Sequence, residues 1–446
     1  MDKKNTAEHL LIYVEQSPPR LIYTFKHVFK YLLGVPYELT SDLQQFVSFC
    51  GPKLSYTKKQ LSSDLHIHAQ DLLFEKGVDD PELELTVRNG KSYIFEHQCE
   101  SDLTYDPFAA IFFFISRYEE YMIHCKDSHQ RFPAEASFAS EHQLLHKPVV
   151  DLWALELLEV LLDQFPHLVY KKRKFKAVNT IDVDQAFSIK EKGFIRTSSI
   201  LLRSLLSFKF SQFRQQMLVL LGKSKDPFDT FSFIFNKTKL HPKIEHRFFV
   251  LLGDYGTYDK NIHPRKKAFK SLIKSMADYA FVGIHPSYRS NETKAILKEE
   301  LLQLKQLIHR GISSSRQHYL KLELPKTYRH LIDLGISEDY TMGFASQSGF
   351  RAGTCTPFYF YDLDLEYETP LLVHPFCVME ASLKHYQGLD PEEAKAHINM
   401  FIKEVKQVEG TFISLWHNES LSENELWKGW KSVYVEMLKA CDETLA

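Results

Sequence analysis

Short apolar segments alternate with helical ones through the part of this 446-residue chain that follows residue 174. The apolar segments are 175–183, 246–253, 280–286, 313–320, 371–378 and 411–417. The segments with helical periodicity are 263–280, 291–310, 325–335 and 391–410. Because parallel strands are joined by crossovers that are usually helices, this alternation predicts an α/β fold. We expect a parallel sheet covered by helices, in the form of a distorted or partial (β/α) barrel.

Polar residues stand at the ends of these apolar segments. They are Asp182, Asp184, His285, Arg316, His318, His374 and His417. In β/α barrels the chemistry lies at the C-terminal ends of the strands, where the connecting loops meet over one face. The sequence therefore predicts that these side chains converge on a common cavity.

The first of these segments ends in an Asp-x-Asp pair, Asp182 and Asp184. Side chains alternate along a strand with period two, so both carboxylates point to the same side. One carboxylate can then hold a metal ion while the other accepts a proton from metal-bound water, which is the minimum for a metal-assisted hydrolase. The same pair also suits a sugar-nucleotide transferase, an aspartyl-phosphate phosphatase, or two solvated acids at the end of a strand.

The first 170 residues have a different pattern, and the chain is too long for one ordinary hydrophobic core. Helices are predicted at 17–34, at 106–125 with Asp106 as N-cap, and at 149–165. Short extended pieces lie between them. We predict a smaller mixed α/β domain of unknown role over 1–170, followed by the barrel domain over 171–446, and no chemistry in the first domain beyond packing.

Bulk composition excludes several classes of protein. The net charge is −2, which gives no reason to expect a nucleic-acid partner. The six cysteines form no CxxC pair and are interpreted as reduced thiols. No apolar stretch reaches the roughly 18 residues of a membrane span. The N-terminal stretch 1–16 does not resemble a signal peptide, so we predict a cytoplasmic protein.

Residues 188–225 interrupt the alternation. Apolar residues recur there every three or four positions, as in an amphipathic helix. The segment holds eight basic residues and one acid, Glu191. One interpretation is a peripheral membrane contact with anionic lipid. The other is an insertion that packs on the barrel and keeps a solvated basic face.

Taken together, the short sequence motifs at the strand ends resemble those of a known family. They are TIDVDQAF (180–187), GIHPSYRS (283–290), SRQHYL (315–320), GFRAGTCTPF (349–358) and FISLWH (412–417). In order and spacing, the region 174–440 resembles the polysaccharide deacetylases of carbohydrate esterase family 4. The whole chain looks like the bacterial deacetylase-like proteins that carry an extra N-terminal domain. The resemblance implies a metal-dependent hydrolase, with zinc as the expected ion, that removes an N-acetyl or similar acyl group from a carbohydrate.

The resemblance also implies roles for individual residues. Asp182 matches the catalytic base, Arg316 its partner, His417 the catalytic acid, Tyr319 the backbone amide of the oxyanion hole, and Asp184 and His285 the metal ligands. An aspartate beside an arginine remains ionised at neutral pH, as a base must. A histidine can donate a proton to the departing amine.

One position departs from the family pattern. The family has a second metal-binding histidine four residues after the first, where this chain has Arg289. Arginine is a poor ligand because it does not lose its proton. His318 is the candidate replacement, with His374 as the second choice. If neither serves, the chain is a catalytically degenerate sugar-binding relative; a nucleotide-sugar transferase is the third hypothesis.

Overall fold

The first part of the chain contains a small parallel sheet. The computed structural model describes residues 9–61, 65–81 and 83–445. The N-terminal stretch 1–16, which does not resemble a signal peptide, therefore lies partly outside the described residues. The sheet has the order β2-β1-β3-β4 and an antiparallel pair, β5–β6, follows it. The strands are β1 (Leu10–Val14), β2 (Tyr37–Thr40), β3 (Lys53–Thr57), β4 (Leu65–His68), β5 (Thr86–Arg88) and β6 (Lys91–Tyr93).

In the part of the chain that the structure describes, five α-helices accompany these strands. They are α1 (Pro19–Phe25), α2 (Leu43–Ser48), α3 (Pro107–Ile115), α4 (Phe138–Glu141) and α5 (Val149–Gln164). Helix α1 continues as a π-helical segment, Lys26–Leu33. Asp106 caps α3 as predicted, because its side chain accepts hydrogen bonds from the amides of Phe108 and Ala109. The helix predicted over 106–125 ends at Ile115, and Arg117 just beyond it has a left-handed φ of 56°.

The central element of the molecule is a nine-stranded sheet formed after residue 175. Its order is β12-β13-β11-β10-β9-β8-β7-β15-β14, and all neighbours run parallel except β12 and β13. Within the described residues the two outer strands are not paired with each other, so the sheet is an open, partial barrel. Its strands are β7 (Lys176–Val183), β8 (Glu245–Leu251), β9 (Phe281–His285), β10 (Ser314–Ser315), β11 (Glu338–Asp339), β12 (Phe358–Asp362), β13 (Tyr367–Val373), β14 (Val378–Met379) and β15 (Thr411–His417).

Helices connect and cover these strands. They are α6 (Phe194–Leu206), α7 (Phe210–Leu220), α8 (Phe231–Leu240), α9 (Lys267–Tyr279), α10 (Lys294–Ile308), α11 (Lys326–Asp333), α12 (Pro391–Gln407) and α13 (Trp430–Thr444). The periodicity of the sequence predicted α9 to α12, whereas α8 and α13 were not predicted. No helix among those described is long and apolar enough to cross a membrane. The cytoplasmic location stays a prediction.

The insertion at 188–225 differs from the single helix that its periodicity indicated. Helices α6 and α7 are joined by a short turn in which Phe208 has a φ of 54°. We call residues 194–220 the α6–α7 hairpin. Five of the seven large apolar side chains of α6 are exposed, so these five do not pack on the barrel as the second interpretation expected.

The two parts of the chain share one hydrophobic core. A contiguous cluster of buried side chains runs from the small sheet through α3 to the nine-stranded sheet. Arg20 of α1 pairs with Glu366 in the β12–β13 connection, and Glu120 pairs with Arg351 at 2.7 Å. The predicted division at residue 170 stays a prediction, and these contacts cross it.

Glu120 is expected to contribute strongly to stability. Burial alone would raise the pKa of this carboxyl, but Arg351 and Arg117 lower it to about 2. All three side chains are buried. Glu120→Gln leaves the buried guanidinium of Arg351 without a carboxylate, although Arg117 keeps its pair with Glu119, so we expect the free energy of unfolding at pH 7 to fall by about 3 kcal/mol.

The stabilisation that Glu120 provides should decrease at low pH. The stabilisation from Glu120 is complete above the unfolded-state pKa of about 4.5 and is lost as the pH falls toward 2. Urea denaturation at pH 7, 5 and 3 should therefore show the difference between wild type and Glu120→Gln shrinking at the lowest pH. The matched control is Glu436→Gln, which breaks a half-exposed pair with Lys439 and should change stability by less than about 0.5 kcal/mol. Equal stability of wild type and Glu120→Gln at pH 7 would contradict the prediction.

Candidate functional site

The predicted site residues meet at one cavity, which has a volume of about 420 Å³. The predicted side chains that line it are Asp182, Asp184, His285, His318, Tyr319 and His417. Arg316 does not line the cavity but contacts Asp182 directly, with its Nη1 3.1 Å from Oδ1. The expected convergence is therefore found for these residues, but not for His374, which does not line the cavity.

Strand register explains this convergence. Asp182 near the end of β7 is paired with His417 at the end of β15. His285 ends β9, where it is paired with Leu251 of β8. Ser315 of β10 is paired with Ile284 of β9, which brings Arg316 beside His285. Because the strands are parallel, their C-terminal ends meet at a single edge of the sheet.

Three side chains at this edge form a cluster with the spacing of metal ligands. Asp184, His285 and His318 each offer one ligand atom, and these atoms lie within 4.8 Å of one another. The Nε2 atom of His285 is 3.1 Å from Oδ1 of Asp184, and the Nε2 atom of His318 is 3.3 Å from Oδ2. Both histidines are buried, and Asp184 is partly exposed to the cavity.

Hydrogen bonds fix how the two histidines face Asp184. Nδ1 of His285 donates to the carbonyl of Arg316, 2.5 Å away, because a carbonyl can only accept. Nδ1 of His318 contacts a carboxylate oxygen of Asp259 at 2.7 Å. Carboxylate or carbonyl partners of this kind orient metal-binding imidazoles. Each ring therefore directs Nε2 at Asp184.

The contacts between the two Nε2 atoms and the Asp184 carboxylate require a positive charge at the point where these atoms meet. In a neutral ring with Nδ1 protonated, Nε2 carries a lone pair, which would face the carboxylate of Asp184. Within the described residues, Nε2 of His285 and Oδ1 of Asp184 are buried without a hydrogen-bond partner. Burial alone would lower the pKa of His318, but Asp184 and Asp259 raise it to about 9. Two imidazole nitrogens and one carboxylate oxygen fit a divalent ion such as zinc.

Asp182 lies next to this cluster and is held by Arg316. Both side chains are buried. Nε of Arg316 donates to the carbonyl of Tyr340 at 2.9 Å, which fixes the guanidinium under the carboxylate. The second oxygen of Asp182 is 3.7 Å from Nε2 of His285. Asp182 is therefore an oriented carboxylate beside the candidate ligands.

His417 enters the same cavity from β15. Its Nδ1 lies 2.8 Å from Oε1 of Glu380, which also accepts a hydrogen bond from the His417 amide. Nε2 of His417 is 3.7 Å from Asp184. Burial alone would lower the pKa of His417, but Glu380 and then Asp184 raise it well above its usual value. The imidazolium form can thus donate a proton into the cavity.

Tyr319 stands in an unusual backbone conformation at the cavity wall. Its φ is 60° and that of Leu320 is 52°, both in the left-handed region. Non-glycine residues there cost of order 1–3 kcal/mol each and persist where the surroundings hold them. Here Nη1 of Arg131 donates to the Tyr319 carbonyl at 2.6 Å. The role of the Tyr319 amide in an oxyanion hole stays a prediction.

Other strand-end candidates are not at the cavity. His374 stacks on Tyr340 with ring centroids 4.2 Å apart, and its Nε2 is 3.4 Å from Glu338. It is therefore the weaker of the two replacement ligands. Arg289 lines a different cavity, with Asp254 and Glu300.

Four residues around the site were missed in the sequence. They are Arg131, Asp259, Glu380 and Glu419. Asp259 and Arg131 lie in segments without regular structure, so no periodicity marks them. Glu380 directly follows β14, a strand of two residues. Glu419 lies two residues after His417 and lines the cavity; burial raises its pKa to about 7.

Comparisons with known proteins give the following likenesses. The model of a family of unknown function, DUF7033, matches residues 10–166. No curated protein matches the chain. A Mycobacterium smegmatis protein described as a polysaccharide deacetylase is 11% identical, with a TM-score of 0.38 over 60% of this chain and 85% of that one.

Two further solved structures are similar over the same share of this chain. A polysaccharide deacetylase from Bacillus cereus is 14% identical, with a TM-score of 0.27 over 60% of this chain and 87% of that one. A pseudoenzyme of carbohydrate esterase family 4 from Bacillus anthracis is 11% identical, with a TM-score of 0.29 over 60% and 62%. All three TM-scores are below 0.5, so the proposals below depend on the chain's own geometry.

Proposed function

We propose that this chain is a metal-dependent hydrolase that removes an N-acetyl or similar acyl group from a carbohydrate by cleaving a linear amide C–N bond. The observation that carries the proposal is the arrangement around Asp184. Two histidine Nε2 atoms lie 3.1 and 3.3 Å from its oxygens, and an oriented carboxylate and an oriented imidazole reach the same cavity. Apart from His318, which is the candidate replacement for the family's second histidine, these are the components that the resemblance to the deacetylases implies.

Asp184, His285 and His318 would hold the divalent ion, and zinc suits their donor atoms. When bound, such an ion acts as a Lewis acid and lowers the pKa of water from about 16 to about 7. The two Nδ1 partners, the Arg316 carbonyl and Asp259, keep the ligand rings in position.

The remaining residues would move protons. Asp182 accepts a proton from the attacking water while the oxygen of that water bonds to the acyl carbon. Arg316 holds the Asp182 carboxylate in place. The Tyr319 amide is proposed to donate to the resulting oxyanion, a contribution on the order of 3 kcal/mol. His417, oriented by Glu380, donates a proton to the nitrogen as the C–N bond breaks. The products are a free carboxylic acid and an amino sugar.

The lining of the cavity suits a sugar. Tyr258 and Tyr319 line it, and Tyr258 stacks on Tyr288 with centroids 4.2 Å apart. Aromatic walls with a few oriented polar groups are typical of small-ligand sites. Glu419 and Gln317 offer further hydrogen-bonding groups for hydroxyls.

The alternative is a degenerate, sugar-binding relative without a complete metal site. It was motivated by Arg289, which stands where the family has its second histidine. The position of His318 supports the hydrolase instead, because His318 provides a third ligand atom without any contribution from residue 289.

Acyl release from a panel of N-acetylated amino sugars and their oligomers tests the proposal. The zinc-loaded protein should release acetate and yield a free amine, detected by mass spectrometry. Treatment with a chelator should abolish the release, and added zinc should restore it. Zinc-loaded protein that binds these sugars but releases no acyl group would favour the sugar-binding alternative.

A further inference from the structure

Helix α6 has an inverted distribution of polar and apolar side chains. Ser204 is buried and accepts a hydrogen bond from Gln216 of α7 at 2.9 Å. Five large apolar residues face solvent instead, with exposures between 44% and 88%. They are Phe194, Ile195, Leu202, Leu205 and Leu206. At 100° per residue these five positions fall within roughly one third of the helix circumference, so they form one continuous apolar face.

The apolar face continues into the turn of the α6–α7 hairpin. Phe208 and Phe210 are 80% and 60% exposed, and their rings contact each other edge to face. A soluble helix normally turns such a face toward the core. Contiguous exposed apolar surface of this kind marks an interaction site.

The insertion that carries the apolar face also carries unpaired cations. Five exposed basic residues of the insertion have no ion-pair partner among the described residues: Arg203, Lys209, Arg214, Lys223 and Lys225. The whole chain carries a net charge of only −2, so this positive charge is concentrated locally. An exposed apolar face together with unpaired cations is typical of helices that lie in the surface of an anionic bilayer.

We propose that the α6–α7 hairpin docks this protein onto a lipid surface with anionic headgroups. The leucines and phenylalanines would enter the boundary between headgroups and acyl chains, and the arginines and lysines would contact lipid phosphates. A second copy of the chain is a poorer occupant, because a symmetric contact would bring the same unpaired cations of both copies together.

The base of the hairpin is fixed to the rim of the candidate site. Asp226 accepts hydrogen bonds from the amides of Ser188, Ile189 and Lys190, which ties together the two ends of the insertion. Arg196 donates to the carbonyl of Lys260 at 3.0 Å, and Lys260 lines the candidate cavity. Docking through the hairpin would therefore hold the mouth of the cavity close to the membrane surface.

Vesicle sedimentation with the full chain tests this docking without any dependence on catalysis. The wild-type protein should sediment with vesicles of phosphatidylcholine and phosphatidylglycerol in equal parts, and little with phosphatidylcholine alone. Binding should weaken at least about ten-fold when salt rises from about 0.05 to about 0.5 M. Leu202→Glu/Leu206→Glu should weaken it at least about ten-fold as well. Arg203→Glu/Lys209→Glu should have a similar effect.

The matched control is Leu365→Glu, at a leucine that is 58% exposed in the β12–β13 connection. It should bind vesicles as the wild type does, and thermal denaturation should show that all variants remain folded. Equal binding to both vesicle types would overturn the proposal, as would unchanged binding of the double leucine variant. Concentration-dependent dimers that the leucine substitutions abolish, without vesicle binding, would assign the face to a second copy.

Discussion

Asp182→Asn is expected to lower the rate of acyl release about 10³-fold while leaving the bound metal in place. Asparagine keeps the size of the side chain and an oxygen that can accept the hydrogen bond from Arg316, but it cannot take up a proton from water. General acid–base groups contribute typically 10²–10⁴-fold. Since Asp182 is not one of the three clustered ligands, metal content should be unchanged.

The measurement is kcat for acetate release by zinc-loaded protein, alongside metal content and thermal denaturation. Asp151→Asn is the matched control, because Asp151 is also a buried aspartate paired with an arginine, Arg173, at 2.9 Å. It lies outside the candidate cavity, so kcat of the folded variant should stay within about two-fold of wild type. An Asp182→Asn variant that retains a tenth or more of wild-type kcat would remove this residue from its proposed role.

His285→Ala and His318→Ala are each expected to abolish stoichiometric binding of zinc. Each substitution removes one of three donor atoms, and no other histidine replaces it in the cluster within the described residues. Asp259→Asn should have a smaller effect, because it removes only the carboxylate that orients His318. Loss of such a partner typically weakens metal affinity by 10–100-fold.

Metal analysis after dialysis, together with calorimetric titration of zinc into metal-free protein, would measure these effects. The control is His374→Ala, which removes another strand-end histidine whose Nε2 contacts Glu338 instead. It should leave zinc affinity unchanged. Wild-type affinity in His318→Ala would show that the third ligand is elsewhere, and the sugar-binding alternative would gain support if His285→Ala also made no difference.

Regular spacing explains which parts of the fold could be predicted. The strands β7, β8, β9 and β15 are apolar runs bounded by helical segments, and most of their side chains are buried. Central strands of a parallel sheet are buried on both faces and therefore appear as continuous apolar runs. The convergence of Asp182, His285 and His417 follows from their position at the ends of such strands.

Other features leave no such pattern. Strands β10 and β11 have two residues each, which is too short for any periodicity. The hairpin was predicted as one helix because its apolar spacing continues across the turn at Phe208. Asp259 and Glu380 act on the site through hydrogen bonds to His318 and His417. Those contacts join residues 59 and 37 positions apart, so they become visible only when the chain is folded.

The hydrogen bond from Arg131 to the Tyr319 carbonyl joins the region before residue 170 to the wall of the candidate cavity. The guanidinium that holds the left-handed backbone of the cavity wall belongs to the region before residue 170, and so does Glu120, which neutralises Arg351. A protein lacking that region would lose both supports at once. Recombination between relatives would therefore have to transfer both segments together, because the first segment of this chain supplies part of the wall of the active centre we propose.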